Sequence, residues 1–326
     1  MHILIQIVIL AIGFVCLVKG ADIFVGGSSA LARNFNVPGL IIGLTIVALG
    51  TSAPEMAVST VAAIQGSNEI ALSNVVGSNI FNLLGVLGVC AVIYPLPVDG
   101  IVLKRDFPFA IVTTILLLFI SCGSIMFGGQ FFEYSADNEV AVVSRPVGIG
   151  LVALFIAYIV FLILKTKKEA TGDDEKGKSP MWKCVVFILA GLALIIAGGQ
   201  AVVYSAKEIA RAAGMTETLI GLTIVAIGTS LPELVTSAVA ARKGETGMAI
   251  GNVIGSNIFN LLLILGVSAL IHPVAINMAS VYDLIILVGV TGISYLFALT
   301  SRKIIRLEGV ILLLIYVADV LFALLR

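Results

Sequence analysis

Shifted by 178 residues, the sequence falls on itself. Residues 43–55, GLTIVALGTSAPE, align with 221–233, GLTIVAIGTSLPE, and residues 77–84, GSNIFNLL, align with an identical run at 255–262. Asn74-Val75 matches Asn252-Val253 and Pro95 matches Pro273 at the same offset. Two blocks at one shift are beyond chance, so what the first half builds the second half must build again. The repeated blocks are also the most polar parts of their surroundings, which a purely architectural repeat would not need.

Those surroundings are apolar. Of the 326 residues, 60% are hydrophobic and 12% charged, with a mean hydropathy of +1.15; a soluble domain carries about 25% charged residues. This is too little polar surface to cover a globule in water, and a bilayer removes the need for it. The formal net charge of +0 gives no global attraction for nucleic acid. Ten apolar stretches are long enough to cross about 30 Å of hydrocarbon at 1.5 Å per residue. They are 3–19, 38–63, 70–94, 107–127, 147–164, 182–203, 216–241, 247–271, 281–299 and 305–324. The first has no basic segment before it and Lys19 behind it, so it reads as a retained membrane helix and not a cleaved signal. The second and seventh hold Gly, Ser, Thr, Pro and Glu in mid-segment and are expected to be broken helices.

With the N-terminus outside, the loops facing the cytoplasm hold fifteen of the nineteen Lys and Arg; only Arg145, Lys207, Arg211 and Arg326 fall elsewhere. That asymmetry supports the count of ten and places both termini outside. The compact size suits a prokaryotic plasma membrane. Residues 165–181 include the charged run KTKKEATGDDEKGKSP and are expected to form a mobile cytoplasmic linker. It separates a first five-helix repeat, 1–164, from a second, 182–326. Five is odd, so the second repeat enters the membrane from the opposite side. The expected fold is therefore an all-α integral membrane protein of ten transmembrane helices, two inverted repeats with broken helices at the midplane. Secondary transporters use this pattern and bind ions at the repeat interface. No enzyme chemistry and no cofactor are implied.

Glu55 and Glu233 lie inside these apolar spans, where a charge costs about 2.5–3.5 kcal/mol on insertion scales. Thr51 and Glu55 are spaced i, i+4 and share a helix face, with Ser52 beside it; Thr229, Ser230 and Glu233 repeat this. Ser78 and Asn82, and Ser256 and Asn260, are again i, i+4. Pro54 and Pro232 lack an N–H, which frees the carbonyl of Gly50 or Gly228 and is expected to loosen those around Ala48 and Ala226. A free carbonyl in lipid is costly unless it lines a cavity or binds an ion. Gly50, Gly77, Gly228 and Gly255 are expected to let helices approach closely. Every ligand-type group here is an oxygen, and neither block holds His or Cys. That favours a hard cation over zinc, copper or iron. Ca²⁺ takes six to eight oxygens and Na⁺ accepts similar ones. Two carboxylates balance one Ca²⁺, two Na⁺ or two protons. A site neutralised by either of two ions, but not by both at once, is the minimal device for antiport.

GTSAPE and GTSLPE, each followed by GSNIFN, resemble the paired alpha repeats of the sodium/calcium exchangers in the cation/calcium antiporter superfamily. The form is nearer to bacterial and archaeal members, because the long regulatory loop of the animal proteins is missing. The resemblance implies exchange of Na⁺ for Ca²⁺ by alternating access. It implies Glu55 and Glu233 as shared Ca²⁺ ligands with the carbonyls of Thr51 and Thr229. Na⁺ sites would use Ser52, Ser78, Ser230 and Ser256 with the carbonyls of Ala48 and Ala226, and Asn82 and Asn260 would complete the centre. It also implies sliding of the first and sixth helices across a fixed core. Several such exchangers carry Asp where this chain has Asn260. Asn cannot titrate, so the formal charge of the site is −2 and three Na⁺ would overfill it. Ca²⁺/H⁺ antiport, or another divalent cation at the same site, is the alternative reading. A channel fits an inverted repeat poorly, and a membrane scaffold would tolerate loss of the glutamates.

Cys16, Cys90, Cys122 and Cys184 lie in or beside apolar runs without CxxC spacing and read as small apolar residues. His2 and His272 are isolated, and Trp182 beside Lys183 reads as an interface anchor. Lys19, Asp22 and Arg33 are expected in a loop, Asp283 and Asp319 near span ends. The expected partners are Ca²⁺ and Na⁺, with H⁺ in the alternative, and membrane lipid, with no nucleic acid and no obligate protein partner.

Overall fold

The computed structural model describes residues 2–66, 68–127, 139–169, 179–215 and 226–325. In chain order the helices are α1 (His2–Asn34), α2 (Gly39–Thr51), α3 (Ala53–Ile64), α4 (Ile70–Ile93), α5 (Phe107–Phe127) and α6 (Arg145–Glu169). They continue with α7 (Met181–Ala212), α8 (Ala226–Thr229), α9 (Leu231–Arg242), α10 (Thr246–Ile271), α11 (Met278–Thr300) and α12 (Arg306–Leu325). Seven of these are long and apolar enough to cross a membrane, or eight when α2 and α3, bent by 48°, count as one span. The other two expected stretches are helical where described, as α5 and as α8–α9. The head of the seventh stretch, 216–225, and linker residues 170–178 lie outside the described residues.

The burial pattern is the reverse of a soluble protein's. Leu4, Ile64 and Leu164 are exposed, whereas Glu55, Asn82, Glu233 and Asn260 are fully buried. Apolar faces outward and polar groups inward mark an integral membrane protein. At the centre stand α4 and α10, each with 78% of its most apolar stretch buried, against 22% in α1 and 28% in α7.

The first helix is longer than expected. It runs 33 residues, about 50 Å, so Lys19, Asp22 and Arg33 are helical and not in a loop. The reason lies in its partner: α1 packs along most of α7 through glycines. Gly13, Gly20 and Gly27 recur every seven residues; Gly13 faces Gly198 and Gly20 faces Gly191, the two glycines being their counterparts one repeat on, and Gly27 meets the backbone at Cys184 and Ile188. A Cβ on Gly20 would lie 2.9 Å from the carbonyl oxygen of Gly191, one on Gly191 would lie 2.6 Å from the amide nitrogen of Phe24, and one on Gly198 would lie 2.8 Å from the carbonyl of Gly13. The two backbones touch, and no turn is available where the linker-like composition suggested one. Asp22 pairs with Lys243 at the end of α9 at 2.8 Å. The linker is likewise shorter at its start, because α6 continues through Glu169.

Two short ladders depart from a purely helical fold. β1 (Leu96–Pro97) pairs antiparallel with β4 (Lys303–Ile304), and β2 (Glu139–Val143) with β3 (Val274–Asn277). Each joins the first half to the second. Each also follows a proline, Pro95 or Pro273, that ends a central helix. Close glycine contacts repeat the exchange: Gly88 of α4 meets Gly309 of α12, and Gly266 of α10 meets Gly148 of α6. Gly191→Ala is expected to lower stability by about 1–3 kcal/mol through overpacking against backbone. Gly150→Ala, which meets nothing within 4 Å, should leave it unchanged; thermal unfolding in detergent compares them.

Candidate ion site

Each broken span is interrupted at a serine. Ser52 has φ −82° and ψ 10°, and Ser230 has φ −93° and ψ 8°, both outside helical values. Pro54 and Pro232 follow in the first turn of α3 and α9, where a missing N–H has no helical partner to lose. Glu55 and Glu233 occupy that same turn, at a helix N-terminus whose partial positive charge favours a carboxylate. Both side chains are 0% exposed. Among the described residues neither has a basic partner.

The hydrogen bonds cross between the halves. Ser230 Oγ donates to Glu55 Oε1 at 2.9 Å, and Ser52 Oγ donates to Glu233 Oε1 at 2.7 Å. Ser256 Oγ reaches the same Glu233 oxygen at 3.5 Å. Asn74 Nδ2 donates to Ser59 Oγ, and Asn252 Nδ2 to Ser237 Oγ, both at 2.9 Å. Thr51 Oγ1 donates to Asn252 Oδ1 at 3.0 Å. Asn82 Nδ2 donates to Asn257 Oδ1 at 3.1 Å, and Asn260 Nδ2 to Asn79 Oδ1 at 3.0 Å. Most of these bonds recur at the 178-residue offset, with the donor in one half and the acceptor in the other, or within each half alike.

What the network leaves over is informative. Glu55 Oε2, Glu233 Oε2, Asn82 Oδ1, Asn260 Oδ1 and Ser78 Oγ are buried without a hydrogen-bond partner. An unsatisfied buried polar atom costs about 1–3 kcal/mol, and more when charged. These five lie in the repeated blocks, while others so placed, such as Gln6, Ser28 and Ser294, lie elsewhere; oxygen-only groups are of the kind that hard cations take.

The sequence-predicted residues fall as follows. Glu55, Glu233, Ser52, Ser230, Ser78, Ser256, Asn82, Asn260 and Thr51 are buried. Thr229 ends α8 and Ala226 begins it; the Ala226 side chain lies outside the described residues. Ala48 differs from expectation. Its carbonyl accepts the N–H of Ser52 at 3.0 Å, so it is not loosened. Pro54 removes the donor to Gly50, not the donor to Ala48, and an N–H of the cap turn reaches Gly50. Gly50, Gly228 and Gly255 press on neighbouring side chains or backbone, but a Cβ on Gly77 would meet nothing within 4 Å. One feature had no sequence signal: a wide π-turn begins at each site asparagine, Asn82–Val86 and Asn260–Ile264. Such bulges are frequent at functional sites. Asn79 and Asn257 were also passed over, because the i, i+4 spacing selected Ser78 with Asn82 and Ser256 with Asn260.

A model of the sodium/calcium exchanger protein family matches residues 5–164 and 183–325. The chain belongs to this family. The sodium/calcium exchanger MaX1 of Methanosarcina acetivorans is 32% identical over 96% of this chain and 97% of its own. The inner membrane protein YrbG of Escherichia coli is 37% identical over 81% of this chain and 79% of its own. A solved structure of the sodium-calcium exchanger NCX_Mj superposes with a TM-score of 0.83 at 32% identity, covering 99% of this chain and 100% of that one. For this family member, Ser52→Ala and Ser230→Ala should each destabilise the cation-free protein by about 1.5–3 kcal/mol, the worth of a hydrogen bond to a charged group. Equal losses of denaturant stability in the two variants are the expected result.

Proposed function

We propose that this protein is a secondary antiporter that exchanges Na⁺ for Ca²⁺ across a prokaryotic plasma membrane by alternating access. The observation that carries this is the crossed pair of buried carboxylates, each bound by the other half's serine and each keeping one oxygen unused. Ca²⁺ would take Glu55 Oε2 and Glu233 Oε2, with Asn82 and Asn260 Oδ1 and the carbonyls of Thr51 and Thr229. Na⁺ would use the same carboxylates with Ser52, Ser78, Ser230 and Ser256, and the carbonyls of Ala48 and Ala226 through their second lone pairs. Two carboxylates, with no basic partner among the described residues, give a formal charge of −2, so one Ca²⁺ and two Na⁺ are electrically equivalent occupants. Ten spans in two inverted five-helix repeats, with both termini outside, account for the crossed contacts. Each half then does at one membrane face what the other does at the opposite face. The relatives named for sodium/calcium exchange support the same ions.

Calcium uptake into Na⁺-loaded proteoliposomes diluted into Na⁺-free buffer tests this, with K⁺-loaded vesicles as control. Uptake is expected only with the outward Na⁺ gradient. Glu55→Gln or Glu233→Gln should each reduce it by more than about 100-fold, since removing one charge from a buried set costs about 3–5 kcal/mol. Uptake that ignores Na⁺ and follows a pH gradient would replace this reading with Ca²⁺/H⁺ antiport.

A further inference from the structure

The four asparagines of the two GSNIFN blocks form a closed circuit. Asn79 Nδ2 donates to the backbone carbonyl of Asn257 at 3.2 Å, and Asn257 Nδ2 donates to the backbone carbonyl of Asn79 at 3.3 Å. A backbone carbonyl only accepts, so the group facing it must be the NH₂ end of each amide. That settles which way Asn79 and Asn257 point. Their Oδ1 atoms are turned toward Asn260 Nδ2 and Asn82 Nδ2, at 3.0 and 3.1 Å. An oxygen there demands a donor, so the NH₂ ends of Asn82 and Asn260 are in turn consumed. Their Oδ1 atoms are left over, buried and without a partner. All four side chains are at most 3% exposed, so these links are shielded from bulk water.

We propose that Asn79 and Asn257 are positioning residues that lock the amides of Asn260 and Asn82, each in the opposite half, with the carbonyl end toward the bound cation. The proposal rests on reading the unpartnered oxygens as cation ligands. Without the lock an amide can rotate and present NH₂, which repels a cation and loses one ligand. The lock also selects an amide at 260. An ionised Asp there would set its oxygen against Asn79 Oδ1, two acceptors facing each other. Asn79 and Asn257 therefore match a site of fixed charge, in which the glutamates alone carry the −2.

The coupling is crosswise and can be read without transport. Ca²⁺ binding to the purified full-length protein is measured by titration calorimetry in Asn79→Ala, in Asn260→Asp, and in the two combined. Asn79→Ala should weaken the dissociation constant by about tenfold, the loss of one oriented ligand. With Asp at 260 the same change should cost less than about twofold, because a carboxylate has two equivalent oxygens and nothing to orient. Combined instead with Asn82→Asp, in the same half, Asn79→Ala should keep its full cost. The mirrored set, Asn257→Ala with Asn82→Asp, reads the same coupling if Asn79→Ala does not fold. An equal cost of Asn79→Ala in both backgrounds, or rescue by the same-half partner, would overturn the proposal. A wild type that binds Ca²⁺ but does not exchange it for Na⁺ would remove the exchanger reading and leave this test in force.

Discussion

Two carboxylates must sit in a hydrocarbon-bounded core with no basic partner among the described residues, and much of the architecture follows from that. Several kcal/mol per uncompensated charge is too much to leave unanswered. The chain answers with partial charges. A helix N-terminus offers one, but an unbroken membrane helix has its N-terminus at the surface. Breaking the span at Ser52 and Ser230 creates a new N-terminus at depth, and Glu55 and Glu233 occupy its first turn. Proline, serine and glutamate within four residues are thus one device. Proline tolerates only the start of a helix, serine stands at the break and supplies a hydroxyl, and glutamate takes the field of the new end.

The serine hydroxyl is not spent on its own half. Ser52 serves Glu233 and Ser230 serves Glu55. The same exchange recurs in the asparagines, in the two β ladders and in the glycine contacts of α4 with α12 and of α10 with α6. Neither half can complete a site alone. A defect introduced in one repeat is felt as a missing partner in the other, which ties the two copies more firmly than covalent linkage through residues 165–181.

Much of this was legible in the sequence because period, composition and repetition agreed. The spans were visible as apolar runs, the breaks as Pro54 and Pro232, and the buried polar groups as residues that reappear at one offset. The lengths of α1 and α7 were not, because small and charged residues such as Gly20, Asp22 and Lys19 read as a loop when their neighbour is unknown. Backbone contact with α7 turned them into helix. The π-turns at Asn82 and Asn260 leave no trace in composition. The ladders escaped because two to five residues carry too little pattern. Asn79 and Asn257 were in plain sight, but their role depends on which half they face, and spacing along one helix carries no such information.

The glycine seam has a mechanical meaning. Backbone meets backbone every seven residues, so α1 and α7 are keyed like two halves of a split shaft. Slippage along the seam would drive Phe24 or Leu194 into a notch that admits only hydrogen. The two helices are therefore constrained to travel together. Any relative displacement is left to the softer joint against the rest of the bundle, where side chains fill the contact at the broken spans. Phe24 and Leu192 lie there over Gly50, and Val203 lies over Gly228. Those two glycines stand two residues before the serines at the breaks. Under the exchange proposed above, a shift of the shaft would reach the hinge of each broken span, beside Glu55 and Glu233.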